Sequence, residues 1–210
     1  MIFNKLHSAT WGDVGKAKEG ETVLVSGAAG STGSIAAQIA KLKGCRVIGV
    51  AGGTEKCRWL TETAKIDAAI DYKAAKLEEV IPELCPEGID VIFDNVGGDF
   101  LNIALTHINQ SARIAVCGAI SGYNNETPAP GPANYTALII QRARMEGFIV
   151  LDYMDKFPEA IADLMKWVQE GKITYQEDIQ EGIENAPVTL LRLYTGKNQG
   201  KQLLKVADPD

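Results

Sequence analysis

Several things are missing from this 210-residue chain, and each absence excludes something. No run approaches the roughly 18 consecutive apolar residues that a membrane-spanning helix needs. The opening MIFNKLHSATWGD has no long apolar segment of the kind that directs secretion. A cytoplasmic protein with no membrane partner is the expectation. Cysteine and histidine are scarce, at four and two residues. Cys45, Cys57, Cys85 and Cys117 show no C-x-x-C spacing, so no metal site is expected and the thiols read as reduced ones. Positive charge is short as well: the net charge is −6 and the pI is near 5.1. Without a basic patch to neutralise phosphates, no nucleic-acid partner is expected. No Ser/His/Asp or paired-carboxylate constellation stands out either.

What is present is an alternation. Thr22–Val25, Arg46–Val50, Ala68–Ile70, Val91–Phe93 and Arg113–Val116 are short, β-rich apolar runs. Between them lie segments with apolar residues at helical spacing. Ile35, Ile39 and Leu42 mark one over 31–43, and a second runs from Thr54, taken as its N-cap, to about Thr63. Leu77, Val80, Ile81 and Leu84 mark a third, and 99–108 a fourth. A Gly-, Asn- and Pro-rich loop over 119–134 follows. The alternation then resumes with a helix around 135–145, a strand at Phe148–Leu151 and an amphipathic helix carrying Phe157, Ile161, Leu164, Met165 and Val168. Strands of a few apolar residues separated by helices predict an α/β, doubly wound fold with a six-stranded parallel sheet. Residues 172–207 break the pattern: a polar-faced strand in ITYQEDI, a helix in ENAPVTLLRLYTG and a short strand in KQLLKV.

The first strand runs into Gly27-Ala28-Ala29-Gly30-Ser31-Thr32-Gly33, which opens a helix. Backbone amides at a helix start, with the positive end of the helix dipole, can hold a pyrophosphate. The spacing is G-x-x-G-x-x-G rather than the strict dinucleotide fingerprint, so the motif alone is also open to a purely steric reading. About 20 residues on, such units place an acid on the ribose 2′-hydroxyl. Here the slot holds Ala51, Gly52 and Gly53, followed by Lys56. A carboxylate would repel a 2′-phosphate, whereas two glycines leave room for one and Lys56 can supply charge to it. Read alone, Lys56 is more readily a solvated surface lysine than a phosphate ligand, since most lysines are exposed.

The stretches ETVLVSGAAGSTGS, IAKLKGCRVIGVAGGTEKC, DAAIDYK, IDVIFDNVGG, RIAVCGAISGYN, RMEGFIV and GKNQGK occur in this order over nearly the whole chain. They resemble the zinc-independent medium-chain dehydrogenases/reductases. The resemblance is to the branch of leukotriene B4 12-hydroxydehydrogenase, prostaglandin reductase and curcumin reductase, the alkenal or enone reductases. It implies a Rossmann domain over 21–171 that binds NADP(H). The diphosphate would lie on Gly30, Ser31, Thr32 and Gly33, and the adenosine 2′-phosphate near Lys56 and Tyr72. Asn95, the run Cys117, Gly118, Ala119, Ile120, Ser121 and Tyr123, the run Phe148, Ile149 and Val150, and Asn198 would complete the cofactor site. No metal is implied.

The implied activity is NADPH-dependent reduction of the C=C bond of an α,β-unsaturated ketone or aldehyde. Tyr123 would be the catalytic hydrogen-bond donor to the carbonyl oxygen, since its neutral phenol can donate near pH 7. Members of that family carry a GroES-like barrel domain ahead of the nucleotide fold, and MIFNKLHSA does not match it. The expectation is a truncated chain. Residues 1–20 would be a non-matching leader with an interdomain remnant, and 172–210 a tail that normally packs on the absent barrel. Leu190, Leu191, Leu193, Leu203 and Leu204 would then lack part of their partner. A dinucleotide-binding module without turnover is the alternative to an enzyme. A homodimer through the edge strand near Phe148–Leu151 is the implied assembly.

Overall fold

The computed structural model describes residues 14–127 and 129–208, so most of the leader expected over 1–20 lies outside the described residues. Strand β1 (Thr22–Ser26) leads through the glycine loop into α1 (Gly33–Leu42). Then come β2 (Arg46–Ala51), α2 (Thr54–Glu62), β3 (Ala68–Asp71), α3 (Leu77–Leu84), β4 (Ile89–Asp94), α4 (Gly98–Leu105) and β5 (Ile108–Val116). A short α5 (Ala137–Ile140), β6 (Arg144–Gly147) and the long α6 (Phe157–Gln169) complete the alternation. The remainder is β7 (Glu177–Glu181), α7 (Ala186–Tyr194) and β8 (Lys201–Lys205).

The six strands form one parallel sheet in the order β3-β2-β1-β4-β5-β6. Alternate residues of each central strand face opposite layers, as the pleat requires. Val23, Val25, Val47, Val91 and Phe93 pack with Ile35 and Ile39 of α1, Leu60 of α2 and Leu164 of α6. Leu24, Ile48, Val50, Ile92 and Ile114 pack on the other face with Ile81 of α3 and with Leu101 and Leu105 of α4. Two buried faces explain why these strands read as nearly continuous apolar runs.

Three expectations are corrected. The strand placed at Phe148–Leu151 is Arg144–Gly147 instead. Register with β5 decides this: Arg113 sits beside Arg144 and Val116 beside Gly147, so the pairing ends where β5 ends. Residues beyond Phe148 turn into a 3-10 segment over Val150–Lys156. The sheet edge is therefore the polar RMEG run, and its demand for residues 144–147 also cuts the helix expected over 135–145 to one turn. Thr54 is the first helical residue of α2 and not its cap. The turn closes one residue earlier because the Gly53 amide donates to Asp71 Oδ1 at 2.8 Å.

The C-terminal segment folds back on the sheet. β7 and β8 form a two-stranded parallel ladder of their own. The approach to it is fixed by Gln38, buried on α1, whose Oε1 accepts the Thr174 amide at 2.8 Å and whose Nε2 donates to the Thr174 carbonyl at 2.9 Å. Of the leucines expected to lack part of their partner, Leu190, Leu191 and Leu193 are exposed and Leu203 and Leu204 half-buried. Among the described residues no helix is long and apolar enough to cross a membrane.

The Gln38–Thr174 pair gives the first testable outcome. Gln38→Leu leaves the half-buried Thr174 amide and carbonyl without their partner, which costs about 1 kcal/mol. Limited proteolysis should then cut around 170–176 at denaturant concentrations that leave the wild-type chain intact.

Candidate functional site

The strand order reverses between β1 and β4, and in an open parallel sheet that reversal leaves a crevice at the carboxyl ends of those strands. One carboxylate organises its floor. Asp94 ends β4 completely buried, where an unsatisfied charge would be costly. It is met by the Ser26 hydroxyl at 2.7 Å and the amides of Val96 at 2.9 Å and Gly97 at 3.1 Å. Ser26 in turn accepts the Asn95 amide on its Oγ at 2.8 Å, and its carbonyl accepts Asn95 Nδ2 at 2.7 Å. The side chain of Asn95 is thereby held at the crevice between β1 and β4.

The glycine loop lies on one side of that crevice. Gly33 opens α1 so close to the loop that a Cβ there would come 2.4 Å from the Gly27 carbonyl oxygen and 2.9 Å from Ala28 Cα. No side chain caps α1 and no acid sits in its first turn. The amides of Thr32 and Gly33 have no acceptor among the described residues. Unpaired amides at the positive end of a ten-residue helix are a binding place for a phosphate or diphosphate. Gly30, Ser31, Thr32 and Gly33 therefore come together as the sequence led one to expect.

Beyond β2 the glycines have a definite job. A Cβ on Gly52 would lie 2.8 Å from Tyr72 Cε1 and 2.9 Å from Lys73 Cε. A side chain at Gly52 would have to displace the Tyr72 ring and the Lys73 stem, whereas Gly53 has open space but a φ of +105°. Lys56, in the first turn of α2, is half-buried, and its ammonium donates to the Gly196 carbonyl at 2.7 Å. Burial first, and the Lys73 charge second, push that ammonium below the usual lysine range, while Asp178 pulls the other way. Gly52, Gly53, Thr54, Glu55, Lys56, Gly196, Lys197 and Gln199 line a cleft of about 250 Å³.

The far wall of this cleft comes from the C-terminal loop between α7 and β8. Gly200 bridges to Gly30 of the glycine loop, and Gln199 Nε2 donates to Glu55 Oε2 at 2.9 Å. Asn198 Nδ2 donates to the Gly200 carbonyl at 2.9 Å, which places this expected residue at the same bridge. The loop is anchored from below by Asp178 of β7, whose Oδ2 accepts Arg192 at 2.6 Å and the Gln199 amide at 3.1 Å.

On the β4–β5 side, residues 117–123 are stitched to the Asp94 turn. The Cys117 and Gly118 amides donate to the Asp94 carbonyl at 2.8 and 3.1 Å, the Ile120 amide to Asn95 O at 3.2 Å and the Ser121 amide to Val96 O at 3.1 Å. Tyr123 is largely exposed, and its hydroxyl accepts the Ala119 amide at 3.3 Å. Burial, aided by the Asp94 charge, pushes the Cys117 thiol up to about 11, so it stays protonated at neutral pH. Phe148 packs its ring on buried Phe93, with centroids 6.2 Å apart, as a wall behind the crevice. Val150 is half-buried and Ile149 is exposed. Sequence reading missed Ser26, Asp71, Asp94, Asp178 and Gln199. For Asp71 and Asp94 there was a signal: each is an acid at the end of a largely apolar strand.

Comparison with known proteins agrees with this geometry. The family model described as zinc-binding dehydrogenase matches residues 31–169. Prostaglandin reductase 1 of Bos taurus is 48% identical over 196 residues, covering 92% of this chain and 59% of its own length. The NADPH-dependent curcumin reductase of Escherichia coli is 45% identical over 203 residues, covering 94% of this chain and 59% of its own. The chain thus spans about three-fifths of the length of these curated relatives. The crystal structure of CurA from Vibrio vulnificus in complex with NADPH superposes with a TM-score of 0.92 at 41% identity, over 100% of this chain and 63% of that one. No group of three or more His, Cys, Asp or Glu side chains able to hold a metal occurs among the described residues.

The Asp94 network is open to direct test. Asp94→Ala strands the Ser26 hydroxyl and two turn amides in a buried place and should lower unfolding stability by about 3 kcal/mol in urea denaturation.

Proposed function

The chain belongs to the zinc-binding dehydrogenase family, alongside the prostaglandin and curcumin reductases, and from that membership we propose that it is the cofactor-holding part of an NADPH-dependent reductase of α,β-unsaturated ketones and aldehydes. The observation that carries the reading is the pairing of two features at one crevice. An uncapped helix start offers the free amides of Thr32 and Gly33, and Lys56 lines the neighbouring cleft beside Gly52, with no acid at positions 51–53. The first suits a diphosphate. The second suits a 2′-phosphate and disfavours a bare ribose.

In this reading Gly30, Ser31, Thr32 and Gly33 bind the diphosphate, and Lys56 and Tyr72 the 2′-phosphate. Asn95, the segment Cys117–Tyr123, the segment Phe148–Val150 and Asn198 hold the remainder of the cofactor. The chemistry that the reduced nicotinamide supplies when bound is a hydride for the β-carbon of the substrate. Negative charge then gathers on the substrate carbonyl oxygen, and a donor placed there lowers the barrier. Tyr123 is that donor. Its oxygen takes the Ala119 amide, which leaves its own proton for another acceptor. Cys117 stays neutral beside the crevice and adds no charge to compete for the site. Two copies pair through the exposed edge of β6, in the RMEG run and not at Phe148–Leu151.

Two variants test the reading on the chain itself. Lys56→Ala should weaken NADPH by about tenfold or more and leave NADH nearly unchanged in fluorescence titrations. Equal losses for both cofactors would remove the 2′-phosphate assignment. Tyr123→Phe should lower enone-dependent NADPH oxidation about 10- to 100-fold with little change in cofactor binding. Binding of NADPH with no acceleration by any enone or enal would leave this chain a binding module without turnover.

A further inference from the structure

The turn after β3 carries a basic residue that neither the motif nor the family comparison singles out. Lys73 lies across the same glycine that floors the cleft: its Cε would be 2.9 Å from a Cβ on Gly52. Its backbone is not free to swing away. Asp71 Oδ1 accepts the Lys73 amide at 3.0 Å and the Gly53 amide at 2.8 Å, so one oxygen ties the turn that bears Lys73 to the turn that opens α2. Both ends of the Gly52–Gly53 segment are thereby fixed relative to Lys73.

The charge around it is unbalanced. Among the described residues neither Lys56 nor Lys73 forms an ion pair. Glu55, the one acid lining the cleft, turns its carboxylate to Gln199. The two ammoniums feel one another, since the Lys73 charge depresses the proton affinity of Lys56. Three residues further on, Lys76 shows the contrasting arrangement, paired with Glu79 at 2.9 Å. Like charges held near one another raise the energy of the free protein, and Asp178 offsets the Lys73 effect on Lys56 only in part. A ligand group with nearly two negative charges relieves both lysines at once, whereas a hydroxyl relieves neither.

We propose that Lys73 is a second cation of this cleft and a specificity-determining residue. With Lys56 it selects a ligand bearing a ribose 2′-phosphate over one with a free 2′-hydroxyl. The proposal rests on the NADPH reading above and extends it: the 2′-phosphate is gripped between α2 and the turn after β3, with Tyr72 beside it and Gly52 beneath. Gly52 then serves to keep the Lys73 stem and the Tyr72 ring in place, and a larger residue there would push both away together.

The test uses binding and not turnover. Calorimetric titrations of the full chain with 2′,5′-ADP and with 5′-ADP, at low ionic strength, compare wild type with Lys73→Gln, Lys73→Arg and Lys76→Gln. The expected result is a loss of about fivefold for 2′,5′-ADP in Lys73→Gln, and less than about twofold for 5′-ADP. Lys73→Arg should recover most of the affinity, and Lys76→Gln should leave both ligands within about twofold of wild type. A loss in Lys73→Gln no larger than in Lys76→Gln, or equal for the two ligands, overturns the role of Lys73 while the wild-type preference for 2′,5′-ADP stands. Equal affinity of the wild-type chain for both ligands overturns the 2′-phosphate reading itself, and the Lys73 proposal with it.

Discussion

Everything at the crevice hangs on one buried carboxylate. Asp94 is fully buried, and its carboxylate oxygens are met by the Ser26 hydroxyl and the amides of Val96 and Gly97. Those bonds fasten the end of β1 to the turn after β4, the two strands between which the sheet changes direction. The Asp94 carbonyl then receives the segment that leaves β5, through Cys117 and Gly118. A single residue thus sets the relative positions of the glycine loop, Asn95 and the stretch that carries Tyr123.

The second organising constraint is electrostatic. The cleft beside Gly52 is lined by Lys56 of α2 and by Lys197, and the Lys73 stem lies against Gly52, in a chain whose net charge is −6. Local positive potential in an acidic protein is a matter of placement, and the placement is held by acids that are themselves committed elsewhere. Asp71 is spent on the amides of Gly53 and Lys73, and Glu55 on Gln199. Asp178 anchors the loop over 196–200 through Arg192 and the Gln199 amide. Burial works against the Asp178 carboxylate, but those hydrogen bonds outweigh it and hold its pKa below the usual range. The acids shape the cleft without neutralising it.

Much of this was readable beforehand because it is local. The apolar runs of β1, β2 and β4 and the helical spacing of α1 and α6 follow from pleat and turn geometry, with no need for a partner. The glycine loop before α1 and the absence of an acid at 51–53 are likewise read from residue type alone. What failed was whatever depended on a neighbour. FIVL is the more β-prone run, yet RMEG forms β6, because an edge strand is chosen by the length and register of the strand it joins. The helix over 135–145 lost out for the same reason.

The sequence by itself determined the layered fold, the glycine loop at a helix start and the absence of an acid at 51–53, since each is written in residue type and short-range spacing. Only the tertiary structure decided which residues share the work. Asp94 reaching Ser26, Asp71 reaching Gly53, Gln199 reaching Glu55 and Lys73 lying over Gly52 join positions between 18 and 144 residues apart. Such pairs leave no periodic trace along the chain. They exist because a parallel sheet brings the ends of its strands to one edge, whatever their order in the sequence.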